Sequence, residues 1–148
     1  MYTLRKATTD DYSFAYNLNK TNMKDYVVKT WGAWNEEFQK TFFEEYFQIL
    51  DLRIIVVENE DVGIISFNKQ KTSIIIDEIQ LMPQYQHKGI GTLIFSDIIN
   101  NAQKENLEIN LKVLKVNLPA QKFYNKLGFE PFSSSPLRLT ITECRCFL

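Results

Sequence analysis

The sequence predicts a mixed α/β fold built on one sheet, and three features predict it. Residues 52–82 hold three β-branched, apolar runs separated by short polar turns; a two-glycine loop and a helical repeat follow; and an alternating segment, 107–116, comes directly after that repeat. Strands joined by short turns pair antiparallel, whereas two strands separated by a helix run parallel. The strand ending near Met82 and the strand from Leu107 are therefore expected to lie side by side and parallel.

Each element has its own signal. Residues 2–7 read as a first strand. Thr8 and Asp11 have capping-box spacing ahead of Phe14, Ala15 and Leu18, which starts a helix whose end the polar run 19–24 leaves open between there and Val28. Trp31-Gly32-Ala33-Trp34 interrupts the pattern, and Asn35 with Glu36 and Glu37 reads as an N-cap with acids in the first turn. From there Phe38, Phe42 and Tyr46 recur every fourth residue beside Phe43, Phe47 and Leu50, an amphipathic helix with an aromatic face. Residues 52–57, 62–67 and 73–82 are strands, the first two joined by a hairpin turn at 58–61. A third helix runs from Gly91 with Leu93, Ile94, Ile98 and Ala102 inward and Asp97 and Lys104 outward. After the strand 107–116, Pro119 opens a fourth helix that Gly128 closes, and a last strand covers 137–147 beyond the loop 133–136.

Composition narrows the function classes. At 148 residues, with 45% hydrophobic and 24% charged residues, the chain suits a single domain, 1–148, with a sizeable core. A net charge of -1 supplies no field toward a polyanion, so nucleic acid is not an expected partner. No window approaches about 18 uninterrupted apolar residues, and no apolar leader follows the first residues. No membrane association and a cytoplasmic location are expected. Cys144 and Cys146 stand one residue apart, where a strand would aim both side chains the same way and a bridge would strain the backbone, so free thiols are expected. The one histidine is His87, too little for a zinc site.

The chemistry centres on residues 74–93, which read as strand, anion-binding loop and helix. Gly89 and Gly91 let a ligand approach main-chain N–H groups at the positive end of the following helix, which suits a phosphate. A Walker loop is excluded because Lys88 precedes the glycines and no Lys-Ser/Thr pair follows them; a dinucleotide fingerprint is excluded because Ile94 stands where a third small residue is needed.

What remains, Gln86-x-x-Gly89-x-Gly91 after a strand, resembles the pyrophosphate loop of the GNAT superfamily of N-acetyltransferases. A second stretch resembles the same family's fifth-strand and fourth-helix signature: Val113 to Asn117, Ala120, Phe123-Tyr124 and Leu127-Gly128-Phe129. The order of elements matches over essentially the whole chain. The resemblance implies the acyl-CoA N-acyltransferase fold, with about seven strands, four helices, and strands four and five parallel and splayed. It implies acetyl-CoA as cosubstrate and no metal, with the diphosphate on the backbone of His87, Lys88, Gly89, Ile90, Gly91 and Thr92 beside Gln86. The pantetheine arm would lie along Leu81 and Met82, one of whose N–H groups would polarise the thioester carbonyl, with Asn117 holding pantetheine or opening the fourth helix. Tyr124 matches the family's general acid. For the base the resemblance offers Glu78, acting through water, or Asp77; alternation sends these two to opposite faces unless a bulge intervenes. Where some members carry a glutamate on strand five this chain has Lys112, and where most have Arg in the loop it has Gln86, which removes a cation from the diphosphate site.

The first two helices wall the acceptor side in that family, so Tyr26, Trp31 and Trp34 are candidates to bind a primary amine by burial and cation-π attraction; the same rings would equally pack the helices on the sheet. The implied function is acetyl-CoA-dependent N-acetyl transfer by direct attack on the thioester. The alternative is a non-catalytic acyl-CoA-binding or regulatory domain. A monomer or homodimer is expected, and the acceptor, a small molecule or a protein amine, is left open.

Overall fold

The structure is a computed structural model that describes residues 1–49, 51–131 and 135–142. Its elements in chain order are β1 (Tyr2–Lys6), α1 (Tyr12–Trp31), α2 (Glu36–Ile49), β2 (Leu52–Val57), β3 (Glu60–Lys69), β4 (Ser73–Leu81), α3 (Ile90–Lys104), β5 (Glu108–Leu114), α4 (Leu118–Lys126) and β6 (Leu137–Thr142). Among the described residues the sheet has six strands in the order β1-β2-β3-β4-β5-β6, where about seven were expected. The first four pair antiparallel; β4 with β5 and β5 with β6 pair parallel. Leu50, Ser133, Ser134, Cys144, Cys146 and the last strand beyond Thr142 lie outside the described residues. No described helix is long and apolar enough to cross a membrane.

Alternation sorts neighbouring side chains to the two faces of the sheet. Ile54 and Ile64 join Leu52 against Ala15, Tyr16, Leu18 and Phe43, beneath α1 and α2. Ile55 and Ile65 join Ile76, Ile109 and Leu111 against Phe95, Ile98, Tyr124 and Phe129, beneath α3 and α4. The sheet thus separates two helical layers. In α3 the buried face is Ile94, Phe95, Ile98 and Ala102, whereas Leu93, expected inward, is 44% exposed. The helix begins at Ile90 rather than Gly91, and its buried stripe runs through Phe95, which stands three residues before Ile98 and seven before Ala102.

Local chemistry explains the joints. Glu58 and Asn59 both have positive φ, 51° and 66°, so the β2–β3 hairpin is closed by two left-handed residues, the twist that matches right-handed strands. The polar run in the first helix does not break it: α1 continues to Trp31 and ends where the Gly32 N–H reaches Val28 O at 2.8 Å. Asn19, within that run, is 1% exposed.

Gly63 on β3 lies opposite Leu81, and a Cβ there would fall against the Gln80 carbonyl, well inside contact distance. That obstacle is backbone and cannot swing aside. Gly63→Ala is therefore expected to lower folding stability by about 2 kcal/mol, read as a lower urea midpoint at unchanged slope; an unchanged midpoint would show that the two strands can part without cost.

Candidate active site

The site begins where two strands stop pairing. β4 and β5 are hydrogen-bonded only from Ser73–Glu108 to Ile76–Leu111, although β4 continues to Leu81 and β5 to Leu114. The cause lies on the other edge of β4. Ser66 faces Glu78 and Phe67 faces Ile76, so Asp77 is an extra residue, a β-bulge. A bulge bends its strand and increases its twist. Beyond it β4 leaves β5, and a cleft opens between them.

The bulge also exchanges faces. Ile74 and Ile76 belong to the core under α3 and α4; past Asp77 it is Ile79 and Leu81 that pack there, while Gln80 turns toward α1 and bonds Asn19. Asp77 and Glu78, which simple alternation would separate, consequently both line the cleft. Glu78 is 9% exposed. Burial raises the Asp77 carboxyl above its ordinary value, and the positive charge of Lys112 across the fork opposes that rise.

The opposite wall comes from α4. Asn117 caps this helix, its Oδ1 accepting from the Ala120 N–H at 3.2 Å, and Pro119 follows in the first turn. Three rings hold Tyr124: Phe95 at 5.6 Å, Phe123 at 5.6 Å and Phe129 at 6.2 Å between centroids. Tyr124 and Asn117 line the cleft. Burial pushes the phenol of Tyr124 above its ordinary pKa, and the nearby Glu78 carboxylate pushes it further, so at neutral pH this hydroxyl is a donor.

At the mouth of the fork lies the glycine loop. Gly89 has φ +84° and His87 +59°, a left-handed path that a glycine adopts without strain. Within α3 the first amide to find a carbonyl is that of Leu93, on Gly89 O at 3.0 Å. Among the described residues the amides from His87 to Thr92 make no bond to a backbone carbonyl, so the dipole end of α3 is open to an anion. Gly91 brings α3 close to α4: a Cβ there would already touch the Phe123 ring at 3.4 Å.

The backbone at the end of β4 distinguishes two expected donors. The Met82 N–H is given to Val62 O at 2.8 Å, so it is committed to the sheet. Neighbouring residues send their backbone groups to opposite edges of a strand. The Leu81 N–H therefore faces the fork. Gln86 Nε2 donates to Leu81 O at 3.0 Å and to Asn22 Oδ1 at 3.4 Å.

Tyr26, Trp31 and Trp34 are not among the residues lining this cleft, whose contribution from α1 is Met23. Trp34 donates through Nε1 to Glu36 Oε2 at 2.9 Å, and Tyr16 donates to Glu36 Oε1 at 2.9 Å. With Lys20 at 2.8 Å, these make Glu36 a latch between α1 and α2. Trp31, at the last position of α1, is 47% exposed. Half-buried Tyr26 lies one turn beyond Asn22 and Met23, with Lys29 Nζ 5.9 Å from its ring centre.

The Lys20 ammonium, followed by the Tyr16 and Trp34 donors, holds the Glu36 carboxyl down to about 2. A depressed folded-state pKa gives stability that is present above the unfolded value and lost as pH falls through the folded one. Glu36→Gln should accordingly lower Tm at pH 6, with the gap to the parent closing between about pH 4.5 and about pH 2. A gap that is constant over this range would mean that the carboxylate's charge contributes nothing.

The model of the acetyltransferase (GNAT) family matches residues 15–129, which include the loop, the fork and Tyr124. The chain belongs to the GNAT acetyltransferase family. Solved GNAT-like structures agree in shape. PaiA N-acetyltransferase from Thermoplasma acidophilum, in complex with coenzyme A, is 17% identical with a TM-score of 0.64, over 93% of this chain and 94% of that one. A GNAT family acetyltransferase from Elizabethkingia anophelis with acetyl-CoA bound is 18% identical with a TM-score of 0.61, over 89% and 78%. Ard1 from Thermoplasma volcanium is 18% identical with a TM-score of 0.62, over 92% and 91%. No match is found among curated protein sequences. At these identities the structural likeness establishes the fold.

In this GNAT protein the site contains residues that sequence reasoning did not single out. Gln80, Asn19, Asn22 and Met23 meet at the α1 side of the fork. A signal for them existed. Asn19 and Asn22 interrupt what should be the sheet-facing stripe of a helix, three residues apart, and Gln80 stands two residues beyond Glu78 on the same strand.

Proposed function

We propose that the protein is an acetyl-CoA-dependent N-acetyltransferase that passes the acetyl group directly to a primary amine. The observation that carries this reading is the fork: unpaired strand edges converge on a tyrosine and two carboxylates, next to a helix end with open amides. Exposed amides suit a diphosphate, and an unpaired strand edge suits an extended chain carrying its own amides, so the residues fit this cosubstrate. Acetyl-CoA, when bound, supplies an activated carbonyl and a thiolate leaving group.

The chain's own groups then divide the work. The amides from His87 to Thr92 hold the diphosphate, and the Leu81 N–H points at the oxygen on which negative charge develops. Glu78, with Asp77 beside it, accepts a proton from the incoming ammonium through water. As the C–N bond forms and the C–S bond breaks, Tyr124 donates its proton to the departing sulfur, and the second proton lost by the nitrogen restores the phenol through water. The positive charge of Lys112 opposes the rise that burial imposes on the Asp77 carboxyl.

The test is release of free thiol from acetyl-CoA by the purified protein, with a polyamine, an aminoglycoside, a lysine-bearing peptide and a peptide with a free N-terminus as acceptors. Mass spectrometry of the acceptor with isotopically labelled acetyl-CoA is expected to show one acetyl group added per thiol released. Tight coenzyme binding without thiol release on any acceptor would favour a non-catalytic acyl-CoA-binding domain.

A further inference from the structure

We infer that Gln80 is a positioning residue for Glu78, and that a chain of three side-chain amides, from Gln86 through Asn22 to Gln80, ties the pose of this carboxylate to the loop at the head of α3. The inference rests on Glu78 being the base. Gln86 Nε2 donates to Asn22 Oδ1 at 3.4 Å, Asn22 Nδ2 donates to Gln80 Oε1 at 3.4 Å, and Gln80 Nε2 donates to Glu78 Oε1. Two side bonds brace the chain: Gln80 Nε2 to Asn19 Oδ1 at 3.0 Å, and Asn22 Nδ2 to Leu81 O at 2.9 Å. Gln80 is 7% exposed and Asn19 1%. Amides this deep are stable only when bonded, so their partners are part of the fold.

The direction of the chain follows from its last member. An ionised carboxylate can only accept, so the nitrogen of Gln80 must face Glu78 and its oxygen must face Asn22. Asn22 must then present nitrogen to Gln80 and oxygen to Gln86. All three amides point their donors the same way, and each bond polarises the next, which strengthens the one that ends on the charge. Gln80 also lacks the freedom to turn away, because Asn19 takes its second N–H. The Glu78 carboxylate is thereby held at the cleft by Gln80, and the loop that receives the diphosphate is bonded to the far end of the same chain.

The experiment is a double-mutant cycle on kcat, using Gln80→Leu and Glu78→Gln with acetyl-CoA and an accepted amine. Gln80→Leu is expected to lower kcat about tenfold while the KM for acetyl-CoA stays within about twofold, and in the Glu78→Gln background to change kcat by less than about twofold. Asn22→Ala, on the half-buried face of α1, interrupts the chain from its other side and should show the same dependence on Glu78; it serves if Gln80→Leu does not fold. Equal losses of kcat in both backgrounds would overturn the positioning role and leave the base assignment standing. Parental turnover by Glu78→Gln alone would overturn that assignment, and with it the inference.

Discussion

Tyr124→Phe is expected to lower kcat by about two orders of magnitude while the dissociation constant for coenzyme A stays within about threefold of the parent, since a positioned acid contributes about 10²–10⁴ to rate. The substitution removes one oxygen and leaves the ring among Phe95, Phe123 and Phe129, so neither the packing of α4 nor the opening of the fork should change. Burial and the Glu78 charge both keep the phenol protonated, so it is loaded as a donor throughout the neutral range. The loss should therefore depend little on pH between about 6 and about 9. Calorimetric titration with coenzyme A and steady-state kinetics on one protein preparation make the check. Unchanged kcat would remove Tyr124 from the chemistry, and a parallel loss of coenzyme binding would make it a packing residue.

Glu78→Gln should cost a comparable factor, about 10², and the size of the loss should depend on the amine. A lysine-type amine, with a pKa near 10.4, is neutral in about one molecule in 10³ at pH 7, whereas an α-amine, with a pKa near 8, is neutral in about one in ten. The first needs a proton acceptor more than the second. The deficit of Glu78→Gln is thus expected to be larger on lysine-type acceptors and to shrink as pH rises toward the amine's own pKa. Asp77→Asn is the necessary companion, because the bulge brings both carboxylates to the cleft. It should reduce kcat by less than about fivefold, as the chain of amides ends on Glu78, whereas Asp77 feels the charge of Lys112. The reverse ranking would exchange their roles.

The bulge at Asp77 shows where sequence reasoning stops. Residues 73–82 announce a strand through β-branching and end at a proline, and both signals are local. Whether the strand carries an extra residue depends on its register against β3, which is set by Gly63, Ser66 and Phe67 from another part of the chain. Asn19 is a second case. It belongs to the polar run that left the end of the helix open, yet it is buried, and Gln80, 61 positions away, donates to its Oδ1. Trp34 is a third: an indole near a predicted acceptor pocket proved to be bonded to Glu36, two residues along.

By itself the sequence determined the identity and order of the elements, the two-glycine loop at Gly89 and Gly91, and the cap, tyrosine and glycine of the fourth helix. These depend on φ preferences, side-chain periodicity and capping, which act over a few residues. Only the tertiary structure decided that β4 parts from β5 after Ile76, that the Leu81 rather than the Met82 amide faces the gap, and that Gln80 reaches Glu78. Those outcomes depend on which backbone edges and buried polar groups find partners between distant segments, a competition that local preference does not encode.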